Sequence, residues 1–254
     1  MEDHVELEIK SLLRETILTK IDRYDPETNH RPFYSAIFSE EDIIRASVLQ
    51  SIYTTFGMSV WEDIAVILAS GAGFEAEKQY DLRGELDDHI EHGITIMHKE
   101  LKMGARPPDY SSEFEELRKL VVPIDNPSGN HPDRRVDVYI RKPSGVEHLF
   151  DITTVKPNKK EFQTLKKKLL TWMALRLSEV PDAEVIPAVA IPYNPYYPEE
   201  YSRWTKEALY DSNQLLVGEE FWNFCAGERV YSDLIEIFCE VGDEVEDEIM
   251  TLVA

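Results

Sequence analysis

The chain has little with which to cross-link itself, to cross a membrane or to attract a polyanion. Its 254 residues include only two cysteines, Cys225 and Cys239, and neither belongs to a His/Cys cluster, so neither a zinc ribbon nor a disulfide framework is indicated. No apolar run approaches the roughly 18 residues of a membrane span. The opening MEDHVELEIK is charged where a secretory signal carries an apolar stretch. A soluble chain in a reducing cytoplasm is the expectation. There is no P-loop, dinucleotide fingerprint or GxSxG elbow, and Gly71-Ala72-Gly73 lacks the strand and helix that flank a phosphate loop. Basic residues are outnumbered, 27 against 49 acidic, and the net charge of −22 has the wrong sign for a nucleic-acid partner.

The distribution of charge softens that objection. From His131 to Val180 there are eleven basic residues against six acidic ones, whereas from Glu199 to Met250 there are fifteen acidic against three basic. The basic strip, which includes Arg134, Arg135, Lys159, Lys160, Lys166, Lys167 and Lys168, is the expected DNA-facing surface, with the acidic stretch turned away from it.

Repeats and long linkers are also missing, and the length suits one compact domain. Glu2–Lys20 and Glu40–Ala72 read as helices, and Glu75–Lys102 as a charged, helix-favouring segment that Arg106-Pro107-Pro108 interrupts. Glu113–Val122 is the expected first strand, Arg135–Lys142 the second and Val146–Val155 the third. Asn158 is the expected N-cap of a helix over Lys159–Glu179, whose Phe162, Leu165, Leu169, Met173 and Leu177 recur at helical spacing. The apolar run EVIPAVAIP, residues 184–192, suits a buried strand parallel to its neighbour across that helix. The result is an α/β core with helical additions, divided as 1–105 (helical N-terminal region), 106–195 (core) and 196–254 (acidic helical region).

Two acids in this core point to chemistry. With a hairpin centred on Ser144, Asp137 lies opposite Asp151 on one face, and like charges about 4.5–5.5 Å apart repel unless something compensates. A hard divalent ion such as Mg²⁺ supplies that compensation. Asp is depleted in strands, yet Asp151 stands in HLFDITTV. Two acids about fourteen residues apart with a lysine beyond are the layout of the PD-(D/E)xK nucleases. His89, Glu91, His92 and His98 form a histidine-rich patch without an evident third ligand and read as surface residues. Tyr193–Tyr201 reads as a rigid surface connection.

Longer stretches carry a more specific resemblance. RPFYSAIF, SIYTTFGMSVWEDIAVILA, HPDRRVDVYI, HLFDITTVKPNKKEF, AIPYNPYYPEEYSRWT and LLVGEEFWNFCAGERVYSDLIEIFCEVG cover most of the chain. Together they resemble the TdeIII-type family of type II restriction endonucleases, within the PD-(D/E)xK superfamily. The resemblance implies a restriction-endonuclease-like mixed sheet flanked by helices and Mg²⁺-dependent cleavage of double-stranded DNA at a short, near-palindromic, GGNCC-like site. It further implies a homodimer and a cognate DNA methyltransferase in the same system. Asp137 and Asp151, with the Ile152 carbonyl, are the expected metal ligands, Thr153 and Lys156 the groups that orient water and phosphate, and Glu62 an outer acid. One departure stands out. Where the superfamily has acid-x-Lys, this chain has Asp151-Ile152-Thr153, and the next lysine is Lys156. That departure and the net charge leave two alternatives open: a non-specific or repair nuclease of the same fold, or an inactive relative that binds DNA or protein.

Overall fold

The computed structural model of the chain describes residues 1–23, 25, 31–122, 129–202, 209–211 and 213–253. Arg203–Thr205 of the quoted motifs and Glu207 of the acidic stretch lie outside these. The chain opens with α1 (Asp3–Asp22), α2 (Pro32–Ser35) and α3 (Glu40–Thr55), then passes through a π-helical turn (Phe56–Val60) directly into α4 (Trp61–Gly71). Strand β1 (Glu75–Asp81) follows, then α5 (Asp88–Met103), α6 (Tyr110–Leu120), β2 (Arg135–Arg141), β3 (Glu147–Ile152), α7 (Lys159–Glu179), β4 (Val185–Ile191), β5 (Leu215–Val217), α8 (Glu219–Ala226), α9 (Tyr231–Glu244) and α10 (Glu246–Val253).

The five strands form one mixed sheet in sequence order, antiparallel from β1 to β3 and parallel from β3 to β5. The β2–β3 hairpin is centred on Ser144 as expected: Val138 pairs with Phe150 and Arg141 with Glu147. Its turn closes through the Gly145 N–H to the Lys142 carbonyl at 2.8 Å, and Gly145 has φ +91°, a conformation that favours glycine. α7 begins where Asn158 predicts. The Asn158 Oδ1 accepts from the Lys160 and Glu161 amides at 2.9 and 3.1 Å, and Glu161 returns a bond to the Asn158 N–H at 2.6 Å, a complete capping box.

Two expectations fail. Glu113–Val122 is not the first strand: Tyr110–Leu120 is a helix, capped by the Asp109 Oδ1 on the Ser112 N–H at 2.9 Å, and Glu113, Phe114 and Leu117 are buried on one helical face. The first strand is Glu75–Asp81, inside the segment expected to be helical. Its sequence EAEKQYD has weak strand propensity, but opposite charges face each other at both ends of its ladder with β2, Glu75 against Arg141 and Asp81 against Arg135. Non-local pairing outweighs local preference there. The sheet therefore extends beyond 106–195, taking β1 and β5 from the flanking regions.

Helices cover both faces. On one, α5, α6 and α7 bury Ile90, Ile94, Phe114, Leu169 and Met173 against Val136, Tyr139, Leu149 and Val189 of the sheet. On the other, α1, α4, α8 and α9 bury Ile9, Ile64, Phe221 and Ile237 against Val138, Ile140, Phe150 and Ala188. Among the described residues no helix is long and apolar enough to cross a membrane.

Candidate active site

Along β3 alternate residues look toward α7. Glu147 takes the Arg176 guanidinium in a bidentate pair at 2.6 and 2.7 Å, Leu149 enters the core beneath α7, and Asp151 meets the ammonium of Lys168. Lys168 also lies 4.7 Å from the centre of the Trp172 ring, one turn along α7, which holds its stem over the sheet. Asp151 is buried at the end of β3.

Asp137 enters from the adjacent strand. Its Oδ2 accepts the Ile152 N–H at 2.8 Å, one step beyond the last ladder pair between β2 and β3. Burial, then the Asp151 charge, pushes its carboxyl from 3.8 up to about 7, while Lys168 and the Ile152 amide pull the other way. The facing of β2 changes here, for Val136 belongs to the α7-side core and Val138 to the opposite one.

Glu62 arrives on α4 from the other side of the sheet, just past the π-helical turn, and is buried. The Gln79 Nε2 of β1 donates to both of its oxygens, at 2.9 and 2.8 Å. Burial raises the Glu62 carboxyl, opposed chiefly by that amide, and the Asp151 charge contributes to the rise. Among the described residues no three His, Cys, Asp or Glu side chains converge as a ready-made metal-ligand group.

The remaining expected site residues are dispersed. Thr153 lies just past β3, half-buried, with its N–H on the Ala190 carbonyl at 3.0 Å. Lys156 is exposed, its ammonium 5.6 Å from the centre of the Tyr196 ring, so the lysine at the acid pair is Lys168. Arg134 and Arg135 both engage Asp81, at 3.6 and 2.5 Å. Lys159 and Lys160 are exposed on the first turn of α7, and Lys167 is half-buried.

Lys166 corrects the expectation of a solvent-facing strip. It is fully buried between Glu113 Oε2 at 2.6 Å and Gln214 Oε1 at 2.5 Å. A signal for this exists in the sequence. At about 3.6 residues per turn, Lys166 follows Phe162 by one turn and precedes Leu169 and Leu170 by another, on the apolar face. Three consecutive lysines on a helix spread over most of its circumference, so they cannot share one solvated face. Nothing local marks Gln79.

Comparison with known proteins bears on the family of the chain. The model of the family described as "HinfI: Type II restriction endonuclease, HinfI" matches residues 1–242. Relatives from Herpetosiphon aurantiacus include type II restriction enzyme HgiCII, 25% identical over 224 residues (86% of this chain and 80% of the relative). HgiEI is 25% identical over 241 residues, 87% of this chain and 82% of the relative. The match replaces the TdeIII-type assignment suggested by the motifs with a different family of the same enzyme class. Since it spans nearly the whole chain, the protein belongs to the HinfI family of type II restriction endonucleases, nucleases of double-stranded DNA.

Proposed function

We propose that the protein is a Mg²⁺-dependent homodimer, working in the cytoplasm beside a cognate methyltransferase, that hydrolyses phosphodiester bonds at a specific, near-palindromic, GGNCC-like duplex site. The observation that carries this reading is the meeting of Asp137, Asp151 and Lys168 at one end of the sheet.

The donor set fits Mg²⁺. Carboxylate and carbonyl oxygens are hard ligands, and Asp137 is a half-buried acid raised partly by its neighbour's charge, a repulsion that a cation relieves. Asp137, Asp151 and the Ile152 carbonyl would hold the ion. When bound, Mg²⁺ lowers the pKa of water and neutralises charge at the phosphate. The chain supplies the rest. The Ile152 N–H holds Asp137 in place, and the Trp172 ring steadies Lys168 so that its ammonium can stabilise charge on the scissile phosphate. Thr153, two residues after Asp151, would offer a hydroxyl to order water, and Lys156 a flanking phosphate contact. Two-fold symmetry of a dimer matches two half-sites, and Arg or Lys bidentate to guanine would read them.

The second reading, an inactive binding relative, is favoured by Thr153 at the usual lysine position; Lys168 weighs against it by bringing an ammonium from α7. Incubation of the purified protein with plasmid DNA and Mg²⁺, followed by mapping of the fragment ends, tests both. Discrete ends that vanish with EDTA are expected. Intact plasmid across millimolar Mg²⁺ would overturn the catalytic reading, and random ends the site-specific one.

A further inference from the structure

The geometry points to Gln79 as a positioning residue for the acid site, a role that rests on the nuclease reading above. Gln79 is the one non-glycine with positive φ, +54°, among the described residues. Such a backbone is strained for a side-chain-bearing residue, and this one interrupts a strand. Lys78 pairs with Val138 and Tyr80 with Val136, so the interruption falls at the step beside Asp137.

The side chain accounts for the strain. Its Nε2 spans both oxygens of Glu62 while its Oε1 accepts the Arg135 Nη1 at 3.4 Å, and Arg135 is itself locked to Asp81 by a fork at 2.5 and 2.8 Å. Glu62 is thus anchored through Gln79 to the first residue of β2, two positions before Asp137. The donor type matters. Lys78, the preceding residue, forms an ion pair with Asp63, whereas the acid nearer the site receives a neutral amide. An amide fixes a carboxylate's orientation and leaves its negative charge in place to act on a cation at Asp137 and Asp151; a lysine would cancel that charge. Buried acids of this kind, standing behind the metal ligands, govern ion affinity through orientation.

Gln79→Gly separates this role from a structural one, because glycine adopts the left-handed backbone without strain while deleting the amide. Mg²⁺ and Ca²⁺ binding to the DNA-free protein would be measured by calorimetry, beside melting temperature and kcat and KM for plasmid cleavage. Gln79→Gly is expected to weaken ion binding roughly 10–100-fold and to lower kcat with KM nearly unchanged. Its melting temperature should hold or rise by roughly 2–4 °C. Since Gln79 acts through Glu62, Glu62→Gln/Gln79→Gly should lose no more affinity than Glu62→Gln alone. Wild-type affinity in Gln79→Gly, or losses that multiply in the double variant, would overturn the inference alone. A wild-type protein that neither binds these ions nor cuts DNA would overturn the nuclease reading and this inference with it.

Discussion

Lys168 on α7 and Asp151 on β3 are seventeen residues apart in the chain, and their ammonium and carboxylate form a direct ion pair at the end of the sheet. The contact follows from the crossover: α7 runs back over the sheet from the end of β3, so its third turn passes above the acids while Arg176, near its end, reaches Glu147 at the start of the same strand.

Lys168→Ala is therefore expected to lower the cleavage rate by roughly 10²–10³ while duplex affinity changes only a few-fold, as for a group acting where charge develops. Lys156→Ala should cost less than about tenfold in rate. Single-turnover cleavage with saturating enzyme, compared with binding in Ca²⁺, measures both. If Lys156 proves the more sensitive position, the lysine assignment is reversed.

Asp137→Asn and Asp151→Asn should each abolish Mg²⁺-dependent cleavage and leave the protein folded. Asp137 also gives the metal-free protein a pH signature. Its folded pKa, about 7, lies above the 3.8 of an ordinary aspartate, so the fold favours the protonated form. The associated stability is complete below about pH 4 and is lost as pH rises through about 7. Thermal melts from pH 4.5 to 8.5 in EDTA should show this decline, flattened in Asp137→Asn. Parallel curves would contradict the assignment.

Lys166 contributes to stability through its buried contacts. Lys166→Met leaves Glu113 buried without its cation and should destabilise the protein by about 3–5 kcal/mol. Glu113→Leu/Lys166→Met should recover most of that. Urea titrations decide, and a Lys166→Met variant as stable as wild type would show that the pair does not form in solution.

The exposed lysines at the start of α7 are the strongest test of the DNA face. Replacing Lys159 and Lys160 with alanine should weaken duplex binding and reduce the slope of log affinity against log salt by about 0.9 per lost phosphate contact. Neutralising Asp243, Glu244, Glu246, Asp247 and Glu248, all exposed, should leave that slope unchanged. Equal slopes in wild type and the lysine variant would move the docking surface elsewhere.

The sequence by itself determined the elements whose forces are short-range. The β2–β3 hairpin and its register follow from alternation around a Pro-Ser-Gly turn, and α7 from Asn158, Glu161 and an apolar stripe, so Asp137 and Asp151 were legible as facing acids. The tertiary structure decided everything that depends on distant partners. EAEKQYD becomes a strand because β2 presents the complementary arginines, and Glu113, on a helix that Asp109 caps locally, is buried against Lys166 fifty-three residues away. Which of three consecutive lysines meets Asp151 depends on the rotation of α7 over the sheet, and the Gln79–Glu62 contact on how α4 and β1 dock. Local preferences are worth a fraction of a kcal/mol per residue. Burial and buried ion pairing amount to several, and they act only once the chain has brought the partners together.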